Sequence, residues 1–123
     1  MAVPIFKQGN VLVASIQAAL SDNDLLELRD ALASRIGKLR SRGVVIDLSA
    51  LDVLDSFATR TIRGIALTAK LRGADTVVVG IQPEVAFAMV QLGLTFDDIT
   101  TALDLEDGLA MLRARNGARV LGG

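Results

Sequence analysis

Apolar residues follow two rhythms along this chain, and the rhythms alternate. Short continuous runs at Val44–Leu48 (VVIDL) and Thr76–Gly80 (TVVVG) have the length and β-branched content of buried strands. Ile5–Lys7 and Val11–Ile16 read as two further strands around Gln8-Gly9-Asn10, a hairpin signal. Between the runs the spacing becomes helical. Leu25, Leu28, Leu32, Ile36 and Leu39 follow the capping side chains of Ser21-Asp22-Asn23, and that helix is expected to end near Gly43. A second helix opens at Asp55 or Ser56, either of which can cap it. It carries Ile62, Ile65, Ala66 and Ala69 on one face and closes at Arg72-Gly73. Pro83 suits the first turn of a third helix, with Val85, Ala86, Met89 and Val90 as its apolar positions and Gly93 as its stop. Phe96–Thr100 is expected to form a last short strand. Asp104 then starts a fourth helix with Leu105, Leu109 and Leu112 inward, and 116–123 is expected to be a flexible tail.

The resulting order, β-β-α-β-α-β-α-β-α, predicts one α/β domain over residues 1–123. Its sheet should be mixed and mostly parallel, with about five strands and about four helices joined by right-handed crossovers. Such a sheet gathers its functional loops at the carboxyl ends of the strands, beside helix N-termini. The segment Asp52–Arg60, which follows the Val44–Leu48 run, belongs at that end.

Composition narrows the chemistry. The 123 residues suffice for one core without staples, and 51% hydrophobic against 22% charged residues excludes a disordered chain. A mean hydropathy of +0.48 is high for a small free domain, which points either to exposed apolar patches that meet partners or to an unusually apolar core. The balance of 13 basic and 14 acidic residues leaves no electrostatic footprint for nucleic acid. The basic stretch Lys38–Arg42 (KLRSR) reads as cations at a helix C-terminus. His, Cys, Trp and Tyr are all absent. Disulfides, thiol redox chemistry, Ser–His and Cys–His nucleophile pairs and the common zinc sites go with them. No run approaches the roughly 20 apolar residues that span a bilayer, and the N-terminus has no secretory-signal pattern, so a cytoplasmic location away from membranes is expected.

Few motifs remain. There is neither a GxGxxG nor a GxxxxGK[ST] loop. Asp22-Asn23-Asp24 opens like a calcium loop, but Glu27 stands where such a loop needs glycine and Ala33 where it needs glutamate, so no metal is expected. Asp47, Asp52 and Asp55 form a local carboxylate group. Without a substrate or phosphate loop beside them, they read structurally, Asp47 as a strand-end residue and Asp55 as a helix cap, rather than as an acid–base pair or magnesium ligands, and no cofactor is implied. Ser56 differs. A hydroxyl in the first turn of a helix lies near exposed backbone amides, and a phosphate placed there would add roughly −1.5 to −2 charge and three acceptor oxygens. The plainer reading of Ser56 is a helix cap.

The stretches VVIDLSALDVLDSF (Val44–Phe57), TVVVGIQPEVAFAMVQLGL (Thr76–Leu94) and TALDLEDGL (Thr101–Leu109), with VLVASIQAAL (Val11–Leu20), resemble STAS-domain proteins, the anti-anti-sigma antagonists and their relatives. The likeness covers nearly the whole chain. The Gly80–Pro83 stretch (GIQP) and QLGL (Gln91–Leu94) are similar to the stressosome branch, the scaffold subunits of the RsbS type. The resemblance implies a STAS fold, a non-enzymatic role, and a phosphorylated serine at Ser56. It also implies self-association with sensor paralogues of the RsbR type, and capture of a serine/threonine switch kinase of the RsbT type that phosphorylation releases and a phosphatase resets. It makes Asp55, Asp22 and Ser21 candidate kinase contacts, since Ser21 stands where many antagonists carry an acid and Asp22 follows it. Thr59 and Thr61 are secondary candidates for phosphate, with exposed helix residues as their plainer reading. A stand-alone anti-anti-sigma factor that binds an anti-sigma kinase is the alternative within the family. A small carboxylate enzyme built on Asp47, Asp52 and Asp55 is the alternative outside it.

Overall fold

A computed structural model describes residues 3–96 and 99–122 of the chain. β1 (Ile5–Gln8) and β2 (Val11–Ser15) form an antiparallel hairpin. β3 (Gly43–Asp47), β4 (Asp75–Val79) and β5 (Thr100–Ala102) extend it in parallel, in the spatial order β1-β2-β3-β4-β5. The valines are in register across the sheet: Val13 faces Val45 and Val45 faces Val77, while Ala14, Ile46 and Val78 line up one residue on. Because side chains alternate across a strand, these two rows point to opposite faces, and both need cover.

Three helices cover one face. α1 (Asp22–Leu39), α2 (Ser56–Leu71) and α3 (Pro83–Gln91) each cross from one parallel strand to the next. Their buried side chains include Leu28, Leu32 and Ile36 from α1, Ile62, Ile65 and Ala69 from α2, and Val85 and Met89 from α3. They pack on Leu12, Ala14, Val44, Ile46 and Val78. The other face belongs to α4 (Leu105–Gly122), whose Leu109 and Leu112 meet Val11, Val13, Val45, Val77 and Val79. This is the expected α/β architecture, with five strands and four helices among the described residues. No helix among the described residues is long and apolar enough to cross a membrane.

Several boundaries differ from the sequence expectation, each for a physical reason. α1 stops at Leu39, where Arg40 turns left-handed (φ 51°) and donates its N–H to Ile36 O. Gly43 is therefore no helix stop. It is the first residue of β3, and a Cβ there would lie 2.9 Å from Leu112 Cδ1. Ala86 and Val90 are exposed, and α3 buries only Val85 and Met89, because the short edge strand β5 leaves nothing further out to pack against. The last strand is Thr100–Ala102, not Phe96–Thr100. Phe96 and Ile99 are buried in the core, so their apolar character marks burial rather than strand pairing; residues 97 and 98 of that expected strand lie outside the described residues. α4 remains helical through Gly122, where a tail was expected from Asn116, and Gly123 lies outside the described residues.

The α4 interface depends on a missing side chain. Gly108 approaches the sheet so closely that a Cβ would stand 2.7 Å from Val79 Cγ1. Val79 is a stiff, fully buried β-branched residue that cannot swing aside. Gly108→Ala is therefore expected to destabilise the fold by about 1–2 kcal/mol, overpacking outweighing the roughly 1 kcal/mol that alanine gains in helix propensity. At Gly64, inside α2, a Cβ would meet nothing within 4 Å, so Gly64→Ala should stabilise by about 0.5–1 kcal/mol. Urea midpoints of the two variants should move in opposite directions. Equal shifts would contradict the close approach of α4.

Candidate functional site

Parallel strands place the starts of α1, α2 and α3 along one rim of the sheet. At that rim, residues 48–55 connect β3 to α2. Asp47 closes β3 with an Asx-type turn, its Oδ1 accepting from the Ser49 amide at 2.9 Å. Leu51 and Leu54 are buried and anchor the connection, while Asp52 and Val53 between them face solvent. The loop is thus pinned at its apolar positions and open at its polar ones.

Asp55 is the N-cap of α2. Its Oδ1 accepts from the Ala58 amide at 2.7 Å, and its backbone carbonyl accepts from Thr59 N at 3.0 Å and Thr59 Oγ1 at 2.9 Å. This settles which of the two capping candidates serves. With Asp55 as the cap, Ser56 becomes the first helical residue, exposed, and no partner holds its hydroxyl among the described residues. The amides of the first turn lack intrahelical acceptors, so the hydroxyl sits beside unsatisfied donors at the positive end of the helix dipole. Asp52 and Asp55 act against that field. Arg60, also exposed, follows four residues after Ser56 and so shares its side of the helix. The i,i+4 spacing could have singled out Arg60 from the sequence, since an anion N-terminal to a cation is the favourable order.

Ser21 and Asp22 occupy the corresponding place on the neighbouring helix. Ser21 caps α1 through a reciprocal box: its Oγ accepts from the Asp24 amide at 3.1 Å, and its own amide donates to Asp24 Oδ2 at 3.3 Å. Ser21 is thereby committed to capping. Asp22, the first helical residue, is exposed. α1 and α2 pack side by side, and a cleft of about 60 Å³ between their starts is lined by residues that include Ala19, Leu20, Leu54 and Asp55. Asp22 and Ser21 are therefore brought to the same rim as Asp55 and Ser56. The threonines fare differently. Thr59 is not an exposed helix residue: it is fully buried and spends its hydroxyl on Asp55 O, so it is inaccessible in this fold. Thr61 is half-buried and donates to Phe57 O at 2.8 Å.

The cleft beside Ser56 is far below the several hundred Å³ of a small-molecule site. Among the described residues no group of three or more acidic side chains could hold a metal ion, and Asp47 is engaged in its turn. The rim is a surface, with a hydroxyl at a helix start and carboxylates around it. A second property of the surface lies further round the sheet. Phe87, Val90 and Leu92 at and after α3, Leu103 after β5, and Leu67 and Leu71 on α2 are all exposed apolar side chains.

The rim also contains contacts that motif reading did not find. Gln82 Nε2 donates to Ser49 O at 2.8 Å, and Gly80 lies directly against Ser49. The GIQP stretch singled out in the sequence is therefore the turn that touches the β3–α2 connection. Away from this rim, Arg63 ties α2 to the segment after α3, donating through Nε to Thr95 O at 2.7 Å.

The cap makes a quantitative claim. Asp55→Ala should cost about 1 kcal/mol in chemical denaturation, and Asp55→Ser should recover most of it, because a hydroxyl can replace the carboxylate as acceptor for Ala58. An unchanged midpoint for Asp55→Ala would mean that Asp55 does not cap α2.

Comparison with known proteins agrees with this architecture. The STAS domain family profile matches residues 3–108. Among solved structures, RsbS from Moorella thermoacetica, in a serine-to-glutamate variant, is 37% identical with a TM-score of 0.79, covering 95% of this chain and 97% of that one. A chain from the molecular architecture of the stressosome, described as a signal integration and transduction hub, is 33% identical with a TM-score of 0.75, covering 92% of this chain and 98% of that one. SpoIIAA, an anti-sigma factor antagonist in its unphosphorylated form, shares the fold at 14% identity and a TM-score of 0.68. In sequence, the RsbT co-antagonist protein RsbRA of Bacillus subtilis is 26% identical over 107 residues, which are 87% of this chain and 38% of that protein. A second co-antagonist, RsbRD, is 28% identical over 66% of this chain and 29% of its own length, so the chain spans well under half of these two relatives. The chain belongs to the STAS-domain family.

Proposed function

We propose that this chain is a stressosome scaffold and regulatory subunit whose unphosphorylated form holds a serine/threonine switch kinase of the RsbT type and whose phosphorylation on Ser56 releases it. The observation that carries the reading is the division of labour at the start of α2: Asp55 caps the helix, which leaves the neighbouring Ser56 hydroxyl exposed and uncommitted. The likeness to RsbS over nearly the full length of both chains supports the choice of branch.

The geometry suits a binding switch. A phosphate on Ser56 would project from the first turn without displacing a core side chain, because the fold is anchored by Leu51, Leu54 and Ile62 beneath it. The first-turn amides and Arg60 favour the new charge, while Asp52 and Asp55 oppose it. The local surface would turn strongly negative with the fold intact, and a partner seated on the rim would lose its complementarity. Asp55 beside the acceptor and Asp22 on the same rim serve as kinase contacts, and Ser21 contributes by fixing the start of α1. Thr61 is a poorer acceptor than Ser56, since its hydroxyl is already bonded. The subunit performs no chemistry of its own. It acts in the cytoplasm, assembling with copies of itself and with RsbR-type sensor paralogues through its exposed apolar faces, and a phosphatase restores the unmodified state.

Phosphopeptide mapping after incubation with ATP and the switch kinase tests the reading. Phosphate should appear on Ser56. Ser56→Ala should take up none and keep the kinase on the complex in a pull-down. Ser56→Asp should weaken retention less than phosphate does, since one carboxylate has less charge and fewer acceptor oxygens. Phosphate found elsewhere, with Ser56 unmodified, would overturn the assignment. Light scattering with the RsbR-type paralogues should show large assemblies; a small binary complex with an anti-sigma kinase instead would favour a stand-alone antagonist.

A further inference from the structure

Gln82 stands at the N-cap of α3, yet its side chain makes no capping bond to its own helix. Pro83 follows at the first helical position and has no N–H to satisfy. The carboxamide instead reaches away, across the rim, and donates to Ser49 O at 2.8 Å. Ser49 N is already bonded to Asp47 Oδ1 at 2.9 Å, so side chains hold both backbone polar groups of Ser49. Gly80 adds a steric wall. Its φ of +76° is one that glycine adopts freely, and a Cβ on it would lie 2.8 Å from Ser49 Cβ and 3.1 Å from Ser49 Cα. The turn from β4 into α3 therefore grips the β3–α2 connection at its first exposed residue, by touch from Gly80 and by a hydrogen bond from Gln82.

From Ser49 the chain runs through the buried anchors Leu51 and Leu54 to the cap Asp55 and then to Ser56. Gln82, at the N-cap of α3, holds the start of this path through its bond to Ser49 O. We infer that Gln82 is a positioning residue for the modification of Ser56, holding the loop that presents the hydroxyl in one conformation. The inference rests on the proposed role of Ser56 and extends it to a residue remote in sequence that touches neither the hydroxyl nor its cap. It also gives the Gly80–Gln82 turn a physical purpose, with glycine there for the close approach and glutamine for the donor.

The substitution Gln82→Glu separates this role from a merely structural one. Glutamate has the same shape but no donor at neutral pH, so the tie to Ser49 O is lost. As a negative charge at a helix N-terminus, it suits α3 at least as well as glutamine does. Gln82→Lys keeps a donor of adequate reach. The experiment measures hydrogen–deuterium exchange over residues 49–58, thermal midpoint, and phosphate incorporation at Ser56 by the RsbT-type kinase of the same organism. The expected result for Gln82→Glu and Gln82→Ala is faster exchange in that segment and a roughly three- to tenfold fall in kcat/KM, the scale of one lost neutral hydrogen bond, with an unchanged midpoint for Gln82→Glu. Gln82→Lys should restore both exchange and rate. Wild-type exchange together with wild-type rate in Gln82→Glu overturns the inference. A slower rate with unchanged exchange also overturns it, since Gln82 would then act by touching the kinase directly. If the wild-type protein takes no phosphate on Ser56, the functional reading fails and the positioning role with it. The exchange data alone would then report whether the tether exists.

Discussion

The parallel pairing of β2, β3 and β4 governs most of what this molecule can be. Strands rich in valine and isoleucine that are buried on both faces cannot stand as a surface sheet, so apolar cover has to arrive on both sides. The right-handed crossovers supply it on one face as α1, α2 and α3. The strand order β1 to β5 never reverses, so every crossover falls on that same face. The other face is left to α4, which lies close because Gly108 presents no side chain to Val79. The same constraint fixes the location of the site. Parallel strands end at one rim, helices begin there, and the polar groups at helix starts collect in one place.

Within the rim, capping and exposure fall to adjacent residues. Asp55 satisfies backbone donors and anchors Thr59, while Ser56 projects into solvent beside it. Had the serine been the cap, any change to its hydroxyl would have removed an acceptor from the helix. With an aspartate as cap, the hydroxyl is spare. The loop before it follows the same logic: Leu51 and Leu54 bear the packing, and Asp52 and Val53 bear the exposure.

Much of this is written in local patterns. The valine runs specify the three central strands because β-branched residues at continuous spacing have few other uses. Ser21, Pro83 and Asp104 announce their helix starts because capping chemistry is local. What the pattern does not show is set by neighbours distant in sequence. Gly43 looks like a helix stop until Leu112 is seen above it. Phe96 and Ile99 look like a strand because burial and pairing leave the same apolar trace. Thr59 resembles an exposed hydroxyl, yet its position in the helix turns it inward. Gln82 has no local signature, since its partner Ser49 lies 33 residues away. The helix start at Asp55 and Ser56 was legible in the sequence, while the contacts that hold the loop before it required the fold.

The common direction of the helices has an electrical consequence. Asp22, Asp52, Asp55, Glu84, Asp104, Glu106 and Asp107 all fall at or next to the helix starts, on one rim. Lys38, Arg40, Arg42, Lys70 and Arg72 fall at the helix ends or the strand starts, on the opposite rim. A chain with a net charge of −1 is thus nearly neutral in sum but sorts many of its acids and bases between two rims, with Arg60 and Asp75 as exceptions. The side-chain charges set up a dipole along the strand direction, which the helix macrodipoles, positive at the acidic rim, partly offset. In dilute salt such a particle turns as it nears a charged body, presenting its acidic pole to a basic surface before any contact is made. Counter-ions shorten the reach of that torque to about 8 Å at physiological ionic strength, so orientation is selected only in the last steps of an encounter.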